Sequence, residues 1–231
     1  RSLVLDGTIS YGGSSGYGVT LINKAYGEYW ERNHFQTAVP ITSQKRLEDV
    51  YPLAHRNKLL SLCSAGDDAG ITNELNNHLF SLSTVYNLFD EQPYDYFYNA
   101  ISLHTLHKDA LFLGMTDSIA CASHPVKKQA LYHSLVEFLE RQSLVGSWIS
   151  KTHRYSINPS VLGEITPYSH LYNALIDNGD LYLFEIGNQL PGYSVIIFYF
   201  AHSAEDIVQY AVGSKSGLSL DEAINSAFDE L

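Results

Sequence analysis

The chain has 231 residues, 45% of them hydrophobic, which suffices for a sizeable buried core in one large domain or two small ones. Its 25 acidic and 14 basic residues leave a formal charge of −11 with no basic stripe, which argues against nucleic acid as a partner. Cys63 and Cys121 form no C-x-x-C pair, which leaves no disulfide framework and no cysteine zinc site, and the longest apolar runs are far short of the roughly 20 residues a membrane span needs. The expectation is an acidic protein of the cytoplasm without a membrane segment. The further expectation is a single domain, 1–231, that is a fragment truncated at one or both ends, since the chain starts at Arg1 without methionine and ends at Leu231 in a helical pattern.

In chain order, a glycine-rich stretch at 12–18 (GGSSGYG) precedes a helix from Leu21 to Phe35, where Leu21, Ala25 and Tyr29 recur at i, i+4. Asp90 to Asn99, polar with one proline, reads as an exposed connection. A second helix runs from about Val126 to Ser150, with Ser123 and Pro125 as its start signal. Ala130, Leu131, Leu135, Phe138, Leu139, Leu144, Val145 and Trp148 trace a broad apolar face along it. A third helix starts at Thr166-Pro167 and stops at Asn178-Gly179. Leu181 to Ile186, Tyr193 to Ala201 and Ile207 to Val212 are rich in β-branched and aromatic residues and read as strands. The intermixing predicts an α/β (α+β) fold of mixed sheets packed with helices.

Three helices share one spacing of an apolar, a small and an acidic residue: Leu21, Ala25, Glu28; Ala130, Ser134, Glu137; Ala223, Ala227, Glu230. One reading is three related strand-turn-helix units around a shared centre. The other is coincidence, because such a spacing is cheap in any helix. Two of these helices continue as E-x-x-E-R, Glu28-Glu31-Arg32 and Glu137-Glu140-Arg141. Glutamates three apart lie on one helix face, so each pair can converge on one ion. Mg²⁺ takes such carboxylates and completes its shell with phosphate and water, and arginine suits phosphate oxygens. A solvated helix face with i, i+4 pairing of Glu to Arg explains the same residues without a ligand. Flanking aromatics such as Tyr29, Trp30 and Phe138 weigh against that simpler account.

GEYWERNHF at 27–35, SLVEFLERQSL at 134–144 and VGSKSGLSLDEAINSAFDEL at 212–231 resemble the three signature helices of the YcaO-domain superfamily. The resemblance is greatest to the cyclodehydratase subunit of microcin-type azole synthetases. It implies an ATP- and Mg²⁺-dependent enzyme that turns Cys, Ser or Thr of a ribosomally made peptide into azolines. It also implies Glu28, Glu31, Glu137 and Glu140 as metal ligands under the nucleotide phosphates, while Arg32 and Arg141, with Gly16 and Gly18, are the expected nucleotide contacts and Lys24 the expected replacement for a cation the family has elsewhere. The implied partners are the precursor peptide, a leader-binding protein, a flavin dehydrogenase and a second copy in a homodimer. Tyr17 stands where the family often has lysine, Lys24 where it has a small hydroxyl residue, and Ser226 where it has a basic residue. Those departures motivate an alternative, a non-catalytic scaffold of the same fold that docks peptide or partner. A third reading keeps the enzyme and makes the product a thioamide or amidine.

His104 and His107 form an H-x-x-H without a third ligand nearby, a pattern more typical of hydrogen-bonded surface histidines than of zinc. Seventeen tyrosines and ten phenylalanines exceed the needs of a core and predict an exposed aromatic patch.

Overall fold

A computed structural model describes residues 2–4, 11–13, 20–50, 69–104, 107–113, 117–166 and 169–231. Two compact units emerge. The first comprises Arg1–Ser2, Gly13–Gly27 and Ile119–Leu231, the second Leu3–Gly12 and Glu28–Ser118. The short strands β1 (Ser2–Val4) and β2 (Tyr11–Gly13) form a pair, and helix α1 (Thr20–Thr37) follows. Its predicted apolar stripe is realised in Ala25 and Tyr29, both buried, while Ile22 is exposed.

The second unit holds β3 (Ser43–Arg46), α2 (Leu47–Val50), α3 (Ala69–Asn77), β4 (Leu79–Tyr86) and β5 (Pro93–Phe97). The strands pair antiparallel in the order β3-β4-β5. Leu47, Leu75, Phe80, Leu82 and Phe97 make its core. The expected exposed connection at 90–99 is therefore corrected. Only its first residues turn; Pro93–Phe97 is an edge strand, and Phe97, Tyr98 and Asn99 are buried. Its proline heads an edge strand, where no ladder hydrogen bond is lost.

The first unit carries α4 (Lys127–Ser150), β6 (Tyr155–Ile157), α5 (Ser160–Ile165), α6 (Ser169–Asn178), β7 (Gly179–Glu185), β8 (Tyr193–Ala201), β9 (Tyr210–Gly217) and α7 (Leu220–Glu230). The four strands are antiparallel in the order β6-β7-β8-β9. Period-2 alternation sends Leu181, Leu183, Val195 and Ile197 to one face, where Leu162, Ile224 and Phe228 complete the core. A Cβ on Gly213 would run into the Ala227 carbonyl, so only glycine lets β9 lie this close to α7. Ser219 caps α7 by accepting from the Glu222 amide at 3.2 Å.

On the opposite face of the sheet, Ser194 donates to Ser143 of α4 at 2.9 Å and meets Ser216 at 2.5 Å, a buried chain of hydroxyls. Farther along that face Tyr182, Phe200, Tyr210 and Val212 are exposed, and Phe198 stacks on Phe200. These residues form an aromatic patch.

Three boundaries shift. The strand expected at 207–212 runs from Tyr210 to Gly217, because Ile207 and Val208 sit in an exposed loop. Thr166 does not open a helix; it is the C-cap of α5, its amide bonded to the Leu162 carbonyl, and α6 begins at Ser169. Pro167 lies outside the described residues. Helix α4 starts at Lys127 after Val126, while the Ser123 hydroxyl donates to the Gly27 carbonyl instead of capping. The apolar face of α4 is also corrected. Leu131, Leu135, Phe138, Val145 and Trp148 are exposed, and the residues α4 buries are Glu140 and Ser143. Polar neighbours on β8 and β9 make that inversion tolerable.

Of the three helices that share a spacing, α7 follows β9 directly. Helix α1 follows β2 across residues outside the described set, and α4 is entered from turns without a strand. Among the described residues no helix is long and apolar enough to cross a membrane.

Candidate functional site

Helix α4 brings His133, Glu137 and Glu140 to one side at i, i+4 and i+7 spacing. Glu140 is 3% exposed. Its Oε1 accepts from the Ser214 hydroxyl at 3.2 Å, whereas Oε2 is buried without a hydrogen bond. The cation facing Oε2 is Lys215, whose Nζ stands 3.5 Å away, and the same Nζ donates to Glu230 Oε1 at 2.5 Å. Ser214 and Lys215 come from β9 and Glu230 from α7, so three elements of the first unit build this cluster.

The electrostatics follow from this burial. Desolvation pushes the Glu140 carboxyl above the ordinary carboxylate range, against the pull of Lys215. Burial draws the Lys215 ammonium down, but Glu140, Glu230 and Glu137 outweigh it and hold it above the usual lysine value. His133 is held below the ordinary histidine value by burial, with the neighbouring His124, Lys215 and Lys24 acting in the same direction. Lys24, predicted at the nucleotide, is exposed at the surface of this unit, and its charge also acts on Asp229.

Glu137 and Arg141 form an i, i+4 ion pair at 3.9 Å. On α1, Arg32 pairs with Glu28 at 2.5 Å, and Glu31 is half-buried. Both pairings that the solvated-face account expected are thus present. Gly16, Tyr17 and Gly18 lie outside the described residues. Among the described residues no three His, Cys, Asp or Glu side chains gather into a ready-made metal cage.

Sequence reasoning missed Lys215 and Ser214. The signal was there in the run VGSKSG, a lysine at an inward-facing strand position. It also missed Glu185, fully buried, whose Oε1 accepts from the Gly187 and Ser194 amides at 2.9 and 3.3 Å. Its Oε2 has no hydrogen bond, and Arg154 stands 3.9 Å from it. Arg154 lines a cavity of about 620 Å³ with Ser143, Gly146 and the β7–β8 turn. His107 caps a short 3₁₀ turn by accepting from the Asp109 amide, and His104 is exposed. Cys121 is half-buried, and Cys63 lies outside the described residues.

A buried carboxylate with one oxygen lacking a hydrogen bond is a donor that a hard divalent cation can take. Mg²⁺ is commonly held by one or two carboxylates together with substrate phosphates, so the Glu137–Glu140 pair fits it without a full protein cage. The fold and site define a mixed α/β domain whose helix-borne carboxylate pair suits a divalent cation. The family described as YcaO cyclodehydratase, ATP- and Mg²⁺-binding, matches residues 22–231, and the chain belongs to the YcaO family.

Among its relatives, the microcin B17-processing protein McbD of Escherichia coli is 28% identical over 227 residues, covering 94% of this chain and 56% of that protein. The E. coli microcin synthetase McbBCD complex with pro-MccB17 bound matches with a TM-score of 0.81 at 26% identity, over 96% of this chain and 57% of the other. A YcaO from Methanopyrus kandleri, bound with AMPPCP and Mg²⁺, shares the fold at a TM-score of 0.60 and 16% identity, over 98% of this chain and 55% of that one. The chain thus spans little more than half the length of these relatives.

Proposed function

We propose that residues 1–231 act as one functional domain, the nucleotide-handling part of a cyclodehydratase that forms azolines from Cys, Ser or Thr in a ribosomally made peptide. Glu28, Glu31, Glu137 and Glu140 are the proposed Mg²⁺ ligands. Arg32, Arg141 and Lys24, with Gly16 and Gly18, are the proposed nucleotide contacts. The observation that carries the reading is Glu140 in a YcaO-family chain: a buried carboxylate whose Oε2 has a cation nearby but no hydrogen bond.

When bound, ATP and Mg²⁺ supply the activated phosphoryl group and the neutralising charge that drive removal of water. The chain's own residues hold and orient. Ser214 fixes one Glu140 oxygen, and that leaves the other available. Arg32 and Arg141, each already lying along its own glutamate, provide planar donors for phosphate oxygens. The proposed partners are the precursor peptide, a leader-binding protein and a flavin dehydrogenase, with a homodimer as the proposed assembly. McbD itself is found in a complex with pro-MccB17.

Calorimetry of the chain with ATP, with and without Mg²⁺, tests the core of the reading. The expected outcome is metal-dependent binding that Glu140→Gln weakens about 10- to 100-fold, the range seen when groups supporting a metal site are removed. Equal affinity in EDTA would sink it. With the partner subunits and precursor peptide added, mass spectrometry should show the loss of one water per ring formed.

A further inference from the structure

Lys215 is out of place for a strand lysine. On β9 it stands opposite Val195, so alternation assigns it to the apolar face that packs on α7, between Gly213 and Gly217. Yet β9 is the edge strand of its sheet, and the Lys215 side chain remains 36% exposed while its Nζ reaches carboxylates of two different helices. The two contacts are unequal. At 2.5 Å from Glu230 Oε1 it makes a short charge-assisted hydrogen bond. At 3.5 Å from Glu140 Oε2 it makes an ion pair without a hydrogen bond, and no other group bonds that oxygen. Lys215 therefore neutralises Glu140 without using the lone pairs that a metal would need.

We infer that Lys215 is a positioning residue that serves as a place-holder cation. It holds the buried Glu140 carboxyl aligned while no metal is present, with Oε2 left clear of hydrogen bonds, and it retains Glu230 alone once a divalent cation ligates Glu140. This rests on the proposed role of Glu140 as a metal ligand. The physical basis is simple competition between cations. A carboxylate this buried requires a positive partner, and two cations cannot both stand within a few ångströms of it without repelling one another. Glu230 gives the ammonium a second partner already in contact, so the exchange needs no new pairing.

The two partners make opposite predictions, which separates this role from simple structural support. Mn²⁺ binding to the full chain with AMPPCP present, followed by electron paramagnetic resonance, provides the measurement. Lys215→Met removes the competing cation and should tighten Mn²⁺ binding by about tenfold or more, given how strongly charges interact at this separation in a protein. Glu230→Gln removes the stronger partner of Lys215, leaves the ammonium to Glu140, and should weaken Mn²⁺ binding by a similar factor. Lys215→Arg should stay near the wild-type value. Unchanged or weaker binding in Lys215→Met, or no effect of Glu230→Gln, overturns the place-holder role. Should Lys215→Met fail to fold, the Glu230→Gln result alone decides. No Mn²⁺ binding by the wild-type chain would overturn the proposed metal role of Glu140 as well, whereas binding lost in Glu140→Gln but unmoved by both other variants overturns this inference alone.

Discussion

Asp109 and Glu140 are both buried carboxylates, one in each unit, and they differ in what their oxygens do. Asp109 Oδ1 lies 2.7 Å from His78 Nε2, and Oδ2 accepts from the Ser81 amide at 2.8 Å, with His107 Nδ1 3.5 Å away. Both oxygens are in use, and the group ties His78, just after α3, and β4 to the 3₁₀ turn that carries Asp109. Glu140 is bonded at one oxygen and only neutralised at the other. Burial alone therefore does not mark a site. Glu185 is intermediate, with one oxygen shaping the β7–β8 turn and the other facing Arg154 across 3.9 Å. The separation between a structural and an available carboxylate lies in the hydrogen bonds left unmade.

The largest effect expected from breaking this comparison is on folding. Asp109→Ala leaves the buried Ser81 amide and the half-buried His78 imidazole without their partner, and an unsatisfied buried hydrogen-bonding group typically costs about 1–3 kcal/mol. Urea denaturation with hydrogen exchange read at β3, β4 and β5 should show the second unit opening first. Glu140→Gln keeps the side-chain volume and lets Lys215 remain with Glu230, so the same measurements should show a change several times smaller. Equal losses in the two variants would remove the distinction between the carboxylates.

A smaller effect is expected on the pH dependence of the second unit. His107 is held below the ordinary histidine value of 6.5, chiefly by burial, although Asp109 pulls the other way. Its Nδ1 accepts from the Asp109 amide at 3.3 Å, a bond that only the neutral ring can make. Between the depressed folded value and 6.5 the unfolded chain carries more of the proton, so stability is full above 6.5 and falls as pH is lowered through that window. His107→Gln should flatten this part of the profile, as read from urea midpoints at several pH values. An unchanged slope would mean that another group is responsible.

Much of this architecture was legible because packing and pattern agree. The runs 181–186 and 193–201 are dense in β-branched and aromatic residues and become the central strands β7 and β8. Where pattern and packing part, the reading failed for physical reasons. Strand β5 carries Pro, Asp and three aromatics, a composition that an edge strand tolerates and a propensity argument rejects. Strand β9 was misplaced because its pairing residues, VGSKSG, are small and polar, and only the Ser194–Ser216 contact and the close approach of α7 require them. The site divides in the same way. The E-x-x-E-R helices could be read from spacing, because the i, i+3 geometry is local. Ser214, Lys215 and Glu230 reach Glu140 only through sheet register and the return of α7, which no local spacing encodes.

The smallest effect tests the first E-x-x-E-R helix, where the sequence text matches α4 but the surroundings differ. Arg32 lies against Glu28 at 2.5 Å with both side chains partly exposed, whereas on α4 the arginine is 3.9 Å from Glu137 and the second glutamate is buried. An i, i+4 pair on a helix surface contributes about 0.3–0.5 kcal/mol, and loss of the Arg32–Glu28 pair in Arg32→Gln should lower stability by about that much. The variant becomes informative because stability and ligand binding are expected to separate. If Arg32 contacts nucleotide phosphates, removal of its fork should weaken Mg²⁺-dependent ATP binding well beyond what half a kilocalorie of helix stability can explain. Calorimetry and a urea melt on the same preparation give both quantities. A loss confined to binding assigns α1 to the site alongside α4. Unchanged binding with a small stability loss would make Glu28, Glu31 and Arg32 an ordinary helix surface and leave the α4 cluster to carry the function.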